Sequence, residues 1–368
     1  MLLLANTSLG LEKILKQELK ELNFKIKDVK NGMVYFNVEE EKVKDVKKIR
    51  TAERIYLIMK EFKFKKLDDY FENIYRIRWN EYFDIKDRVI IDKVILNSKY
   101  HKSQKTFQSL TQKAVYKSMM DEYKIDFMME SKNTYKLRVF IFGIKAVVAM
   151  DLSGDPLHKR NYRKFISKAP LKEHIASALI INSGWNKKSP LIDPFCGSGT
   201  IPLEAGLIAA GIPAGFLREY DFEKMKKFKE IIENNKINEE NKIFNNPKII
   251  GTDKEDDMIE TSRKNYDNIG LNLNISFYKS SMEKVKNDFD EKGVIITNPP
   301  YGVRLEDNKQ AIKLVNQMRY LKKEFSGWGL TVITSLKDFE KYFDMKAYSK
   351  IDILNGKIKS YIFTYKEI

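Results

Sequence analysis

The chain has 368 residues, 43% hydrophobic and 32% charged, with a formal net charge of +16 and a pI of about 9.4. That length has room for two or three domains, and no apolar run approaches the roughly 18 residues needed to span a bilayer. A single cysteine, Cys196, excludes an internal disulfide framework and any Cys-rich zinc site.

Met1-Leu2-Leu3-Leu4-Ala5 lacks a basic leader, so the expectation is a first or edge strand and no signal peptide, with the cytoplasm as the compartment. Residues 8–24 carry Leu11, Ile14, Leu15, Leu19 and Leu22 at helical spacing, led by Ser8 as a candidate N-cap. Asn31-Gly32 turns into a strand over 33–38, a second helix is expected over 41–50, and a strand over 54–59. Helices are expected over 68–82 and 105–121, and strands over 88–96 and 134–150. This is the pattern of an α+β module. A polar connector with Gly154 and Pro156 follows at 151–163, and Pro170 is expected to open a helix stopped at Gly184.

From Pro190 the chain repeats strand, glycine turn and helix. Strands are expected at 191–193, 248–253, 274–279, 293–297 and 329–334, with helices at 200–210, 256–269 and 308–325. An Asn355-Gly356 hairpin closes the chain. Parallel βα units ended by an antiparallel hairpin fit a doubly wound α/β sheet.

Charge is uneven. Residues 1–165 hold 35 basic and 23 acidic side chains, net +12, and the remainder 32 and 28, net +4. A basic front half suits a polyanion. Aromatics interleaved with the charges, in Tyr75-Arg76-Ile77-Arg78-Trp79 and Lys99-Tyr100-His101-Lys102, favour RNA over a membrane surface, because unpaired bases stack on rings. Charge alone leaves RNA and DNA open.

Two stretches carry chemistry. Asn298-Pro299-Pro300-Tyr301 closes the apolar run 293–297. Two prolines cannot continue a ladder, so the chain must leave the sheet there, at a strand's carboxyl end where open α/β sheets bind ligands. The Asn298 amide oxygen and the Pro299 carbonyl can accept both hydrogens of an exocyclic amine while the Tyr301 ring stacks on a planar base. Asp193-Pro194-Phe195-Cys196-Gly197-Ser198-Gly199-Thr200 is a glycine turn between a strand and a helix. It departs from a dinucleotide fingerprint, because Pro202 stands where the third glycine belongs. An acidic Asp193 suits a cationic ligand, an amino-acid ammonium or a sulfonium, better than pyrophosphate. His101, His158 and His174 show no metal-ligand spacing, and no metal is expected.

The turn 193–200 resembles motif I of class I S-adenosylmethionine-dependent methyltransferases, and 298–301 resembles motif IV of their amino-group branch. The front half is similar to THUMP-domain RNA methyltransferases of bacteria in Leu9-Gly10-Leu11-Glu12, Arg50-Thr51-Ala52-Glu53-Arg54, Gln108-Ser109-Leu110-Thr111-Gln112-Lys113-Ala114, the connector Asp151-Leu152-Ser153-Gly154-Asp155 with Leu157-His158-Lys159-Arg160, and Ala169-Pro170-Leu171-Lys172-Glu173. The subfamily it resembles is the large-subunit rRNA guanine-N2 methyltransferases, over essentially the full length.

The resemblance implies a Rossmann-like class I methyltransferase sheet preceded by an α+β ferredoxin-like/THUMP RNA-binding region. Its divisions would be a ferredoxin-like module at 1–55, a THUMP domain at 56–155 and the methyltransferase domain at 156–368. It implies S-adenosyl-L-methionine held by Asp193, Phe195, Cys196, Gly197, Gly199, Thr200, Asp253 and Ser281, with Asp253 accepting the ribose hydroxyls. It implies catalysis at Asn298, Pro299, Pro300 and Tyr301, with Arg304 on the substrate. The family usually has Asp where Ser281 stands, and Ser and Gly where Pro156 and Asn161 stand. The implied reaction is methylation of a guanine N2 amine in RNA, foremost 23S rRNA. Alternatives are a tRNA guanine, an adenine-N6 methyltransferase, or a non-catalytic RNA-binding factor. Monomer and homodimer both stay open.

Overall fold

A computed structural model describes residues 1–96, 103–164, 171–234, 243–300 and 305–368. The first half forms one seven-stranded sheet from β1 (Leu2–Asn6), β2 (Lys25–Lys30), β3 (Met33–Asn37), β4 (Arg54–Lys63), β5 (Arg88–Leu96), β6 (Thr134–Phe142) and β7 (Lys145–Asp151), in the order β2-β3-β1-β4-β7-β6-β5. Helices α1 (Glu12–Glu21), α2 (Leu67–Tyr75) and α3 (Gln104–Tyr123) contribute to its main core. β1 lies inside the sheet, antiparallel to β3 and β4, where Leu3, Leu4 and Ala5 are fully buried. β4 is longer than its sequence pattern suggests and bridges the two ends of the sheet, pairing with β1 and β7, so the expected division at residue 55 falls within a strand.

Local differences from the sequence reading have physical causes. α1 begins after Leu11, not at Ser8, whose hydroxyl instead meets His174 Nε2 at 3.0 Å in the second half. Residues 40–48 form a 3-10 helix, and the helix expected to reach 82 ends at Tyr75 before a short 3-10 turn at 79–81. Residues 134–150 split into β6 and β7 at Gly143, whose φ is +60°. Trp79 is fully buried and its Nε1 donates to the Ile74 carbonyl at 3.0 Å, so this ring packs in the core and cannot stack on a base. The Lys99–Lys102 stretch and Pro170 lie outside the described residues.

The second sheet holds β8 (Leu191–Asp193), β9 (Ile249–Asp253), β10 (Ile275–Lys279), β11 (Val294–Thr297), β12 (Gly329–Thr334), β13 (Ser349–Asn355) and β14 (Ile358–Tyr365), in the order β10-β9-β8-β11-β12-β14-β13. The first five strands run parallel, and β14 returns antiparallel against β12 and β13. The helices are α4 (Glu173–Asn182), α5 (Thr200–Ala209), α6 (Lys226–Asn234), α7 (Asp256–Asp267), α8 (Leu305–Glu324) and α9 (Phe339–Phe343). β8 and β11 are buried along their whole length, as apolar strands covered on both faces must be. The strand order reverses beside β8, so β8 and β11 open the crevice in which such sheets place their ligand. Among the described residues no helix is long and apolar enough to cross a membrane.

The halves interlock. Leu15 and Leu19 of α1 enter the front core while Leu11 and Ile14 pack with Ile175 and Leu179 of α4. Tyr220, Phe222, Met225 and Phe228 of the second half join the front core. Between them Glu204 of α5 is fully buried and accepts from Tyr162 Oη at 2.9 Å and Ser177 Oγ at 2.6 Å, with Arg160 Nε and Arg50 Nη1 each 3.5 Å away. Burial alone would push this carboxyl up, but the two guanidiniums and the two hydroxyls hold it below the usual range.

Candidate active site

A cleft of about 1110 Å³ opens at the carboxyl ends of β8, β9 and β11. Asp193, Phe195, Cys196, Gly197, Thr200, Asp253, Ser281, Asn298, Pro299 and Pro300 all line it, so the two motifs, separated by a hundred residues in the chain, meet in one cavity. Tyr301 and Arg304 lie outside the described residues.

The floor is built by backbone turns. After β8 the chain folds back so that the Cys196 N–H donates to the Thr252 carbonyl at 2.9 Å and the Gly199 N–H to the Cys196 carbonyl at 2.9 Å. Gly199 then caps α5 with φ +84°, a conformation L side chains rarely adopt, and an added Cβ would press on Ser262 and the Phe277 ring at 3.0–3.1 Å. Gly197 donates its N–H to Asp253 Oδ2 at 3.0 Å, while Asp253 Oδ1 accepts from the Glu255 N–H at 3.0 Å. The carboxylate ending β9 is thus held at the mouth of the glycine turn. Burial pushes the Cys196 thiol well above its ordinary value, which keeps it an unreactive packing group.

Asp193 is almost wholly buried, and its Oδ1 accepts from the Phe195 N–H at 3.1 Å and from Thr297 Oγ1 at 2.7 Å. Loss of solvent outweighs these donors, and with the nearby Asp253 charge it pushes the carboxyl up to about 7. Such a group is stabilised in its charged form by a cation entering the cleft.

Across the floor β11 ends at Thr297. Pro299 is buried and Pro300 exposed, and neither can donate to a ladder, so the backbone leaves the sheet. The Asn298 Oδ1 atom is buried and has no hydrogen-bond partner among the described residues. A buried acceptor without a donor is costly, and a donor arriving from the cleft removes that cost. The set therefore offers an anion, Asp193, for a cationic group, the Asp253 carboxylate for hydroxyls and an open acceptor, Asn298 Oδ1, for an N–H group. Asp193, the backbone turn at Gly197 and Asp253 fit S-adenosylmethionine; Gly199 does not line the cleft and shapes the turn from behind, against Ser262 and Phe277. Among the described residues no cluster of three or more His, Cys, Asp or Glu could hold a metal ion.

A family profile described as "RMKL-like, methyltransferase domain" matches residues 160–362, more than half of the chain. The chain belongs to this methyltransferase family. Residues 2–56 match a second profile, the RlmL ferredoxin-like domain. Among curated relatives, "Ribosomal RNA large subunit methyltransferase K/L" of Buchnera aphidicola subsp. Acyrthosiphon pisum is 30% identical over 99% of this chain and 54% of its own length. The chain therefore spans about half the length of that K/L relative. "Putative RNA methyltransferase YpsC" of Bacillus subtilis is 30% identical over 99% of this chain and 95% of its own. Of solved structures, "a possible methylase from Clostridium difficile 630" superposes with a TM-score of 0.91 at 34% identity, covering 100% of this chain and 98% of its own. SMU.472, crystallised with SAH, gives 0.85 at 28% identity over 100% of this chain and 98% of its own. The ferredoxin-like front and the class I methyltransferase fold expected from the sequence are thus the family's fold.

Several cleft residues carry nothing in the sequence that marks them as site residues. Lys172 and Leu171 enter from the N-terminal end of α4, and Asn355 and Ile358 from the closing hairpin. Asn355-Gly356 reads in sequence as a turn, and only the β12–β14 pairing brings it over the cleft. Thr297 was legible only as the last residue of a strand.

Proposed function

We propose that this chain methylates the exocyclic N2 amine of a guanine in RNA, foremost 23S rRNA, using S-adenosylmethionine. The observation that carries the reading is the buried Asn298 Oδ1, which has no hydrogen-bond partner among the described residues, sharing one cleft with Asp193 and Asp253. The K/L and YpsC relatives carry RNA methyltransferase names, SMU.472 was crystallised with SAH, and residues 1–165 hold 35 basic against 23 acidic side chains. Residues 1–155, comprising the ferredoxin-like module and the THUMP domain, would grip the RNA, and 156–368 would carry the reaction.

S-adenosylmethionine, when bound, supplies an electrophilic methyl group. Asp193 in its charged form stabilises the positive end of that ligand, and Asp253 accepts its ribose hydroxyls. Asn298 Oδ1 and the Pro299 carbonyl accept the two hydrogens of the target amine, drawing it toward a pyramidal geometry with its lone pair free. Extruding the base costs a few kcal/mol, least in a loop. The amine is a weak nucleophile, so the rate comes from orientation and fixed dipoles, without a strong base. The amine proton leaves to water after transfer.

Nucleoside mass spectrometry of rRNA and tRNA from a strain lacking the gene tests this. The expected result is loss of one N2-methylguanosine from 23S rRNA. Loss from tRNA would move the substrate, loss of an N6-methyladenosine would move the base, and an unchanged profile would overturn the reading.

A further inference from the structure

Charge in the cleft is lopsided. Among its described lining residues the acids are Asp193, Asp253, Glu255 and Glu283, and the only cations are Lys172 and Lys254. A sulfonium amino acid carries an α-carboxylate as well as its positive groups, and in a cleft with more acids than cations that carboxylate needs a cation. The two lysines differ in place. Lys254 follows Asp253 at the end of β9, is largely exposed, and lies 3.5 Å from Glu255. That is the ribose end of the proposed ligand. Lys172 stands on the other side of β8. It is the N-cap of α4, a ten-residue helix that packs on α5 and against β12, and a helix dipole favours an anion at that end.

Lys172 is also held in place. Its Nζ lies 3.4 Å from Glu53 Oε1, a front-half carboxylate that receives Asn6 Nδ2 at 3.5 Å. The preceding carbonyl, Leu171 O, accepts from Arg163 Nη1 at 3.0 Å, and the same nitrogen donates to Thr200 Oγ1 at 3.1 Å at the start of α5. Arg163 Nη2 closes this bracket on Glu173 at 2.9 Å. The backbone bearing Lys172 is therefore tied to the glycine-turn wall of the cleft.

Resting on the methyltransferase reading above, we propose that Lys172 is the cofactor-binding residue that receives the α-carboxylate of the amino-acid moiety, with Glu53 of the front half and Arg163 as its positioning residues. The front half then contributes directly to cofactor binding, apart from any contact with RNA.

Calorimetry with two probes tests this on the full chain: S-adenosylhomocysteine, and its decarboxylated analogue S-adenosyl-3-thiopropylamine, which keeps the ammonium and the nucleoside. Wild type should prefer the carboxylate-bearing probe. Lys172→Met should weaken S-adenosylhomocysteine by about tenfold or more, as expected for a charge-assisted hydrogen bond, and change the analogue by less than about twofold. Lys172→Arg should recover part of the loss, and Glu53→Gln should reproduce a smaller version of it. Equal weakening of both probes by Lys172→Met, or no weakening of S-adenosylhomocysteine, overturns the assignment. Intact binding with lost turnover on RNA would make Lys172 a base-reading residue and also overturns it. A wild type that binds neither probe would instead overturn the methyltransferase reading on which it rests.

Discussion

Thr297 Oγ1 donates to Asp193 Oδ1 at 2.7 Å, joining the last residue of β11 to the last residue of β8. This bond locks the strand that presents Asn298 to the strand that opens the glycine turn. Thr297→Val keeps the shape and removes the donor. Among the described residues Asp193 would then keep only the Phe195 N–H as a donor, and a hydrogen bond to a charged group contributes roughly 1.5–3 kcal/mol. S-adenosylhomocysteine affinity should fall by about tenfold. Calorimetry that finds Thr297→Val as tight as wild type would show that Asp193 does not meet the ligand as an anion.

The pH profile follows from the same carboxyl. Burial raises Asp193 from 3.8 to about 7, so the free protein holds the proton over a window in which the unfolded chain has released it. The stability from this group is fully present below 3.8 and is lost as pH rises through about 7. Ligand affinity runs the other way, because the ligand's α-ammonium selects the charged carboxylate. S-adenosylhomocysteine should bind more tightly as pH rises from about 6 to about 8, by at most about tenfold per unit, with release of a proton. Titrations in two buffers of different ionisation heat measure that proton. Asp193→Asn should flatten the slope, and a slope unchanged by it would assign the proton to another group.

Asn298→Ala removes the open acceptor at the end of β11. Turnover should drop by at least about two to three orders of magnitude, the usual cost of a lost preorganised dipole. S-adenosylhomocysteine affinity should change by less than about threefold, because in the proposed reaction the residue meets the amine and not the ligand. Single-turnover rates alongside calorimetry separate the two. Near-wild-type methylation would remove Asn298 from the site.

What local chemistry dictates is legible in the sequence. The glycine turn at 193–200 was legible because Gly199 must adopt a positive φ, and the end of β11 because two adjacent prolines cannot stay in a sheet. The partners of these groups were not. Glu18 receives Arg50 N, Thr51 N and Thr51 Oγ1 from more than thirty residues away, and Glu204 gathers Arg50 and Arg160 from the front half and the connector. Nothing in the spacing of a charged residue within an apolar helix such as 200–209 tells which distant cation neutralises it. Within the aromatic–basic stretch at 75–79, Arg76 and Arg78 are exposed, but the fate of Trp79 is not legible for the same reason, since it depends on a core assembled from other elements. Interlocking also bears on how RNA binding is tested. Removing residues 1–160 would strip Tyr220, Phe222 and Phe228 of their packing and leave Glu204 without both guanidiniums, so charge substitutions in the intact chain are the sounder probe.

Gly10 sits where the front half meets the closing hairpin. Its φ is +96°, and an added Cβ would collide with the Asp352 carbonyl oxygen. The neighbouring Leu9 carbonyl accepts the Leu354 N–H at 3.0 Å, one residue from Asn355 in the cleft wall. Gly10→Ala should therefore destabilise by about 1–3 kcal/mol through strain and loss of this contact. Because the hairpin walls the cleft, cofactor affinity should fall with it. A thermal midpoint equal to wild type would show that the loop at 8–10 does not brace the hairpin.

The junction of the two halves rests on Glu204. With the carboxylate removed, Glu204→Ala leaves Arg160, which is 1% exposed, without its buried anion, and strands the Tyr162 and Ser177 hydroxyls. Breaking a buried ion pair from one side costs about 3–5 kcal/mol, well above the net worth of the pair, because the remaining charge stays desolvated. Glu204→Gln should cost less, since the amide oxygen can still accept from one hydroxyl. Urea unfolding followed by circular dichroism measures both. The expected order is wild type, then Gln, then Ala. The alanine variant should show either a much lower midpoint or a separation into two transitions as the halves uncouple. An alanine variant within about 1 kcal/mol of wild type would mean the arginines find other partners, and the coupling would then rest on the shared apolar core of α1 and α4.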